Sequence, residues 1–247
     1  MNLTQSISPA HVPMLSRAVP TVFIVDDDVS VRESLELMVR IAGWRSETFA
    51  SAQEFLSWPR IPGPSCLVSD VALPDLNGLD LQQLVADRHE MPVIFITGHG
   101  DVPMSVRAMK AGAIEFLIKP FDEEVLLEAI RRAIEHSNTA LREAAKLQVL
   151  KDRYESISPR EREVMALVVA GKLNKQIAAE LRISQITVKA HRRKVMEKTR
   201  ADSLADLVRI ASTLGIAVAE HGRRAPWSEG RISSRSADSK SRGTSAY

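Results

Sequence analysis

Short apolar runs alternate with segments of helical spacing through the first half of the chain. Residues 22–25, 66–69, 93–96 and 116–118 are mostly apolar runs of strand length. Helical patterns lie between and after them. In residues 122–134, for example, apolar side chains recur at positions 126, 127, 130, 133 and 134 and make one apolar helical face. Five strand-and-helix pairs of this kind predict an α/β fold, a doubly wound domain on a five-stranded parallel sheet.

The second half shows a helical pattern with clear start and stop signals. A serine, a proline in the first turn and a returning glutamate form a capping box, a glycine ends that helix, and two further polar residues are placed to cap the next two helices. These residues are Ser158, Pro159, Glu161, Gly171, Asn174 and Ser184. We therefore expect an all-α bundle that ends near Gly215.

These patterns divide the chain into five segments. They are a flexible leader (1–20), an α/β domain (21–138), a helical linker (139–155), a second, all-helical domain (156–219) and a disordered tail (220–247).

Charge separates the two halves. Residues 21–138 hold 10 basic and 19 acidic side chains, whereas residues 151–215 hold 14 basic and 8 acidic ones. An acidic first half is compatible with a cation site, and a basic second half suits a polyanion such as DNA.

Composition also excludes several classes. Cys66 is the only cysteine in the 247 residues, which excludes an intramolecular disulfide and argues against a cysteine-based metal site. Neither a run of membrane-spanning length nor an export signal is visible, so we expect a cytoplasmic protein without a membrane partner.

The polar residues that end the four apolar runs carry the chemistry of a phosphoryl site. They are Asp26-Asp27-Asp28, Asp70, Thr97 and Lys119. In a parallel sheet the carboxyl ends of the strands share one edge, so these side chains would converge. Asp27 and Asp70, with a backbone carbonyl just after Asp70 and water, offer the oxygen ligands that Mg²⁺ prefers. Asp70 is the best candidate acceptor, with Mg²⁺, the Lys119 ammonium and the Thr97 hydroxyl compensating the phosphoryl charge.

Residues 174–181 and 185–198 predict two helices joined by a short turn, as in a helix-turn-helix. The inward face of the second helix carries Val188, His191 and Val195. Its outward face carries Ile186, Lys189, Ala190, Arg193 and Glu197. Lys189 and Arg193 are placed to read base edges. The side chains expected to hold phosphates are Lys175, Arg192 and Lys194. The alternative is a solvated amphipathic helix whose basic face has no function.

The phosphoryl-site motifs resemble receiver domains of bacterial response regulators, which are CheY-like and have a flavodoxin-like fold. The matching segments, 69–78, 95–101 and 111–121, read SDVALPDLNG, FITGHGD and AGAIEFLIKPF. The resemblance implies that Asp70 accepts phosphate from a sensor histidine kinase. It also implies that Asp27 binds Mg²⁺ directly, that Asp26 binds it through water and that the Ala72 carbonyl is a further ligand.

The same resemblance implies that Thr97 and Lys119 bind the phosphoryl oxygens. Phe116 takes the position of an aromatic switch, for which plain core packing is the alternative. Since Phe116 has no hydroxyl, a switch there would depend on burial of the ring alone.

The helical motifs resemble the LuxR-type output domain of NarL/FixJ-type regulators. The matching segments, 158–164, 174–178 and 187–192, read SPREREV, NKQIA and TVKAHR. The resemblance implies a non-enzymatic transcription regulator that dimerises on phosphorylation and binds double-stranded promoter DNA, with RNA polymerase as a further candidate partner. His191 could touch DNA in such a domain, although its inward spacing favours a packed or phosphate-bonded ring.

Two other functions stay open on the sequence alone. Asp26 and Asp28 could form the Asp-x-Asp of a haloacid-dehalogenase-like phosphatase, with Asp26 as nucleophile. Alternatively, the chain could bind DNA without phosphorylation and use its first domain only to dimerise.

Overall fold

The computed structural model describes residues 19–98 and 100–216. The chain divides into two compact units, residues 1–148 and 149–247. Apart from residues 19 and 20, the predicted leader lies outside the described residues, as do the predicted tail and the last three residues of the predicted DNA-binding domain.

The first unit is a parallel sheet flanked by helices, as predicted. Its strands are β1 (Thr21–Val25), β2 (Arg45–Phe49), β3 (Ser65–Asp70), β4 (Val93–Thr97) and β5 (Glu115–Ile118). Its helices are α1 (Val29–Ile41), α2 (Ala52–Ser57), α3 (Gly78–Leu84), α4 (Val102–Lys110) and α5 (Glu123–Glu155). All neighbouring strands pair in parallel in the order β2-β1-β3-β4-β5. The order changes direction at β1 and β3, and a ligand crevice forms beside such a point in doubly wound sheets.

The side chains of β1 alternate between the two faces of the sheet, and both faces are buried. Val22 and Ile24 belong to the core beneath α1 and α5, and Phe23 and Val25 belong to the core on the other face. All five residues of β1 are buried, as expected for a central parallel strand.

Helix α5 is anchored to the sheet by a buried serine. The Ser137 hydroxyl accepts the N–H of Ser65 at 3.0 Å and donates to the Glu90 carbonyl. The predicted linker, residues 139–155, lies within α5, which runs for 33 residues. Within the described ranges, even this helix lacks the combination of length and apolar character that a bilayer span requires.

The second unit is helical, with α6 (Pro159–Val169), α7 (Asn174–Leu181), α8 (Gln185–Thr199) and α9 (Leu204–Thr213). The predicted capping box at Ser158 and Glu161 is present, and Ser184 caps α8. The expectation that Asn174 caps α7 was wrong. Leu173 occupies the cap position, and the Asn174 side chain instead accepts a hydrogen bond from Arg192 at 2.8 Å.

Candidate metal centre and candidate nucleic-acid interface

An ammonium group joins two buried carboxylates at the carboxyl edge of the sheet. Lys119 Nζ lies 2.6 Å from Asp26 Oδ2 and 3.0 Å from Asp70 Oδ2. Asp26 follows β1, Asp70 ends β3 and Lys119 follows β5, so the parallel topology brings together residues that are far apart in sequence. Thr97 ends β4 at the same edge, where its carbonyl accepts the Lys119 N–H at 2.8 Å. The predicted convergence of these side chains is therefore present.

Three carboxylates at this edge have the chemistry of a divalent-cation site. Oxygens of Asp26, Asp27 and Asp70 lie within 4.8 Å of one another. Asp26 and Asp70 are buried, whereas Asp27 is exposed and open to solvent. Three acidic groups opposed by the single ammonium of Lys119 leave excess negative charge, and carboxylate oxygens are the ligands that Mg²⁺ prefers. The donor set therefore fits such an ion.

The loop after β3 is tightly bonded around the candidate acceptor. Asp70 Oδ1 accepts the Ala72 N–H at 2.9 Å. The Gly78 N–H donates a hydrogen bond to the Val71 carbonyl at 2.9 Å. A Cβ on Gly78 would lie 2.5 Å from the Asp70 carbonyl oxygen, a distance that real Cβ contacts do not reach. Glycine at this position allows the start of α3 to approach the backbone of Asp70 closely.

Burial and the shared ion pairs set the protonation behaviour of this cluster. Burial raises the pKa of the Asp26 carboxyl, against the opposing effect of hydrogen bonds from Lys119 and the Asp28 N–H. For Lys119, burial alone would lower the pKa, but the hydrogen bonds to Asp26 and Asp70 outweigh it and the net pKa is raised. The ammonium of Lys119 therefore stays charged at neutral pH.

Phe116, the predicted switch residue, lies in β5, is half-buried and packs against the core that contains Phe95. Its ring centroid lies 6.2 Å from that of Phe95, at an interplanar angle of 51°. Gly100 leaves room beside it, since a Cβ there would come within 3.0 Å of the Phe116 ring and 3.2 Å of Thr97 Cγ2. Core packing explains this position of the ring, and the switch role of Phe116 stays a prediction.

One residue near the cluster was not anticipated from sequence. Arg32 Nη1 donates to the backbone carbonyl of Asp26 at 2.6 Å. Asp28 caps α1 by accepting the N–H of Ser30 at 2.8 Å, which fixes the first turn of the helix that carries Arg32. An aspartate at the start of a predicted helix was the one signal that could have located Arg32, which follows it by four residues.

In the second unit, helix α8 turns a basic face to solvent. Ser184 accepts the Thr187 N–H at 3.0 Å and fixes the start of the helix. The predicted DNA-contacting residues with exposed side chains are Lys175, Lys189, Ala190, Arg193 and Lys194. On the opposite face, Val188 and Val195 are buried against the bundle.

Known protein families cover both units. Residues 22–131 match the response regulator receiver domain, and residues 155–211 match the luxR family of bacterial regulatory proteins. Nodulation protein W of Bradyrhizobium diazoefficiens is 50% identical over 196 residues, which are 79% of this chain and 86% of that protein. The transcriptional regulatory protein FixJ of Rhizobium meliloti is 45% identical over 192 residues, 77% of this chain and 94% of FixJ. The chain belongs to the response regulators with a LuxR-type output domain.

A solved structure agrees with this assignment. The response regulator StyR is 47% identical, with a TM-score of 0.69, and the match covers 79% of this regulator and 99% of StyR. The chain is therefore a transcriptional response regulator of the two-component type. The comparisons give no support to the phosphatase alternative. Asp26, its proposed nucleophile, is 0% exposed and bonded to Lys119.

Two of the predicted DNA-contacting residues on α8 of the regulator are only partly exposed. Arg192 is half-buried and donates through Nη1 to Asn174 Oδ1, which ties α8 to the start of α7. His191 is also half-buried, and its Nδ1 is a buried atom without a hydrogen-bond partner among the described residues. The inward position predicted for His191 agrees with this, and the DNA contacts of both residues stay predictions.

An ion pair with a buried carboxylate orients the C-terminal half of α8 in the regulator. Lys198 Nζ lies 2.6 Å from Glu161 Oε2, and the same oxygen accepts the Ser158 N–H at 2.9 Å. The hydrogen bonds from Lys198 and Ser158 lower the pKa of the Glu161 carboxyl to about 2. Sequence predicted the capping role of Glu161 but not its partner, which lies 37 residues later.

Proposed function

We propose that Asp70 accepts a phosphoryl group from a sensor histidine kinase and that the phosphorylated regulator binds promoter DNA as a homodimer. The observation that carries the proposal is the Lys119 ammonium held against both Asp26 and Asp70 beside the exposed carboxylate of Asp27. This arrangement provides a nucleophile, a fixed cation and an oxygen-rich cation site within one crevice. Because promoter DNA lies in the cytoplasm, the proposed function requires the regulator to act there.

The transfer step needs positioning and charge compensation more than covalent chemistry. An Asp70 carboxylate oxygen attacks the phosphorus of a phosphohistidine; the new P–O bond forms as the P–N bond breaks, and the leaving imidazole nitrogen takes up a proton. Asp27 and Asp70 would hold Mg²⁺ with the Ala72 carbonyl, and Asp26 would do so through water. When bound, Mg²⁺ supplies positive charge to the phosphoryl oxygens.

The chain's own residues then respond to the added charge. Lys119 and the Thr97 hydroxyl bind the phosphoryl oxygens, and Phe116 turns into the space that Thr97 leaves. This change remodels the face of α4, which carries the exposed apolar side chains of Val102 and Met109. That face pairs with the same face of a second copy, which brings two output domains together.

Each output domain of the dimer then meets one half-site of a promoter. The side chains of Lys189 and Arg193 read base edges in the major groove, while Lys175 and Lys194 hold phosphates. Pairing two such domains raises affinity and steepens its salt dependence. At the promoter, RNA polymerase is the expected further partner.

The phosphoacceptor is tested by treating the whole chain with acetyl phosphate and Mg²⁺ and mapping the adduct by mass spectrometry. We expect one phosphoryl group on Asp70, and none in the Asp70→Asn variant. Asp80→Asn, which changes an exposed aspartate on α3, is the matched control and should be phosphorylated as the wild type is. An adduct on Asp26, or one that persists in Asp70→Asn, would contradict the proposal.

The DNA step is tested by selecting bound sequences from a random pool and measuring affinity against salt concentration. Acetyl phosphate should raise the affinity, and equal affinity with and without it would favour the phosphorylation-independent alternative. Lys194→Gln should reduce the log–log salt slope by about 1 for each domain, as the loss of a phosphate contact does. Because Arg192 already bonds to Asn174, Arg192→Gln should lower affinity with a smaller change in slope.

A further inference from the structure

A large apolar side chain stands almost fully in solvent at the start of α8. Ile186 is 80% exposed, more than any other large apolar residue in the described part of the chain. It lies in the first turn, two residues after the Ser184 cap. Covering so much apolar surface is favourable, and the bundle leaves this side chain uncovered.

The neighbours of Ile186 identify the kind of surface that would cover it. Lys189, Ala190 and Arg193 follow it by three, four and seven residues, so they share its helical face, and all are exposed. A partner that covers Ile186 therefore also meets the cations of Lys189 and Arg193. Arg193 Nε pairs with Glu197 at 2.8 Å, so two cations and one carboxylate leave this face net positive. The major groove of DNA combines negative phosphates with apolar methyl groups on its floor, and it fits this combination.

The local structure holds Ile186 ready for such a contact. The Ser184 Oγ accepts the Thr187 N–H at 3.0 Å and lies 2.8 Å from Thr187 Oγ1, which fixes the first turn of α8. Isoleucine is branched at Cβ and strongly prefers one χ1 rotamer in a helix, so little side-chain freedom is lost on binding. In helix-turn-helix proteins the N-terminal residues of the second helix contact base edges.

We propose that Ile186 is a specificity-determining residue that recognises the 5-methyl group of a thymine in each half-site. This inference rests on the proposed function, in which α8 lies in the major groove. Ile186 carries no hydrogen-bonding group, so it can select only through apolar contact, and the thymine methyl is the apolar group that the four natural bases present in that groove. Lys189 and Arg193 read the polar edges of neighbouring bases.

The test uses duplexes in which single thymines are replaced by deoxyuridine. Deoxyuridine pairs as thymine does and lacks only the methyl group. With DNA selected by the full-length phosphorylated wild type, replacing the contacted thymine in one half-site should weaken binding about fourfold, the ratio that corresponds to one buried methyl group. Ile186→Ala should bind the two duplexes about equally, and Ile186→Val should keep most of the discrimination.

Leu204→Ala provides a matched control because Leu204 is an exposed apolar residue outside α8, at the start of α9. Its thymine-to-deoxyuridine affinity ratio should equal that of the wild type. If the wild type binds its selected DNA but discriminates at no thymine, or if Ile186→Ala keeps the full ratio, the inference is wrong while the proposed function stands. If the phosphorylated wild type selects no DNA at all, the proposed function fails and the inference fails with it.

Discussion

Replacing Glu161 by glutamine should loosen the output domain without affecting the receiver. The Glu161 side chain is 5% exposed, and its Oε2 accepts hydrogen bonds from Lys198 Nζ and from the Ser158 N–H. Glutamine keeps the size and one acceptor oxygen but removes the charge. The ammonium of Lys198 then loses its ionic partner, and the tie between α6 and the end of α8 weakens.

The pKa of Glu161 gives the magnitude of the effect. Its pKa falls from an ordinary 4.5 to about 2, and at 1.36 kcal/mol per pKa unit this corresponds to about 3 kcal/mol at most. The Lys198 side chain is 36% exposed, so solvent screens part of the attraction. We therefore expect Glu161→Gln to cost about 1–2 kcal/mol at pH 7. Because the folded pKa is depressed, this stabilisation is complete above pH 4.5 and is lost as the pH falls towards 2.

Hydrogen exchange with mass spectrometry on the full chain measures this cost helix by helix. Amides of α6 and α8 should lose about 5- to 30-fold in protection at pH 7, while the receiver strands keep theirs. Glu163→Gln is the matched control, since Glu163 pairs with Arg160 at the surface and should contribute about 0.5 kcal/mol or less. If Glu161→Gln leaves the protection of α6 and α8 at the wild-type level, the reasoning is wrong. It is also wrong if the difference in protection between variant and wild type stays constant from pH 7 to pH 2.5.

Two further predictions concern the receiver. Gly78→Ala places a Cβ 2.5 Å from the Asp70 carbonyl oxygen, so we expect the free energy of unfolding in urea to fall by about 1–3 kcal/mol and phosphorylation by acetyl phosphate to slow. Gly98→Ala is the control and should change stability little, because its Cβ meets nothing within 4 Å among the described residues. Ser137→Ala leaves a buried N–H and a carbonyl without their partner and should lower the free energy of unfolding by about 1–3 kcal/mol. Thr139→Ala, at an exposed site in the same helix, should lower it by less than about 1 kcal/mol. Equal effects of the two variants would contradict the anchoring role of Ser137.

Much of the receiver could be predicted because its signals are local. Apolar runs of strand length end at Asp70 and Thr97, and the rule that parallel strands share one carboxyl edge brings these residues close to Lys119. The capping box at Ser158 and Glu161 is equally local, since both partners lie within one helical turn. Family resemblance added the expected ligand roles of Asp26 and the Ala72 carbonyl and the expected switch role of Phe116, and these roles stay predictions.

Contacts between residues distant in sequence could not be predicted in the same way. Asn174 has the chemistry of a helix cap, but its side chain binds Arg192, which comes 18 residues later, and Leu173 takes the cap position. The hydroxyl of Ser137 resembles any helical serine in sequence, yet it bridges the first residue of β3 and the Glu90 carbonyl before β4. Pairings of this kind depend on how helices pack, and a single sequence carries no periodic signal for them.

The enclosed position of Glu161 makes the tie between α6 and α8 less sensitive to ionic strength than a pair of fully exposed charges would be. Mobile ions weaken the attraction between DNA phosphates and solvent-facing lysines such as Lys194, but they reach a nearly inaccessible carboxylate poorly. Titrating the complex of the regulator and its selected DNA with potassium chloride should therefore report on contacts between protein and DNA, while α8 keeps its position in the output domain. The Lys198 ammonium is held by Glu161 as a result, so its charge serves the packing of α6 against α8.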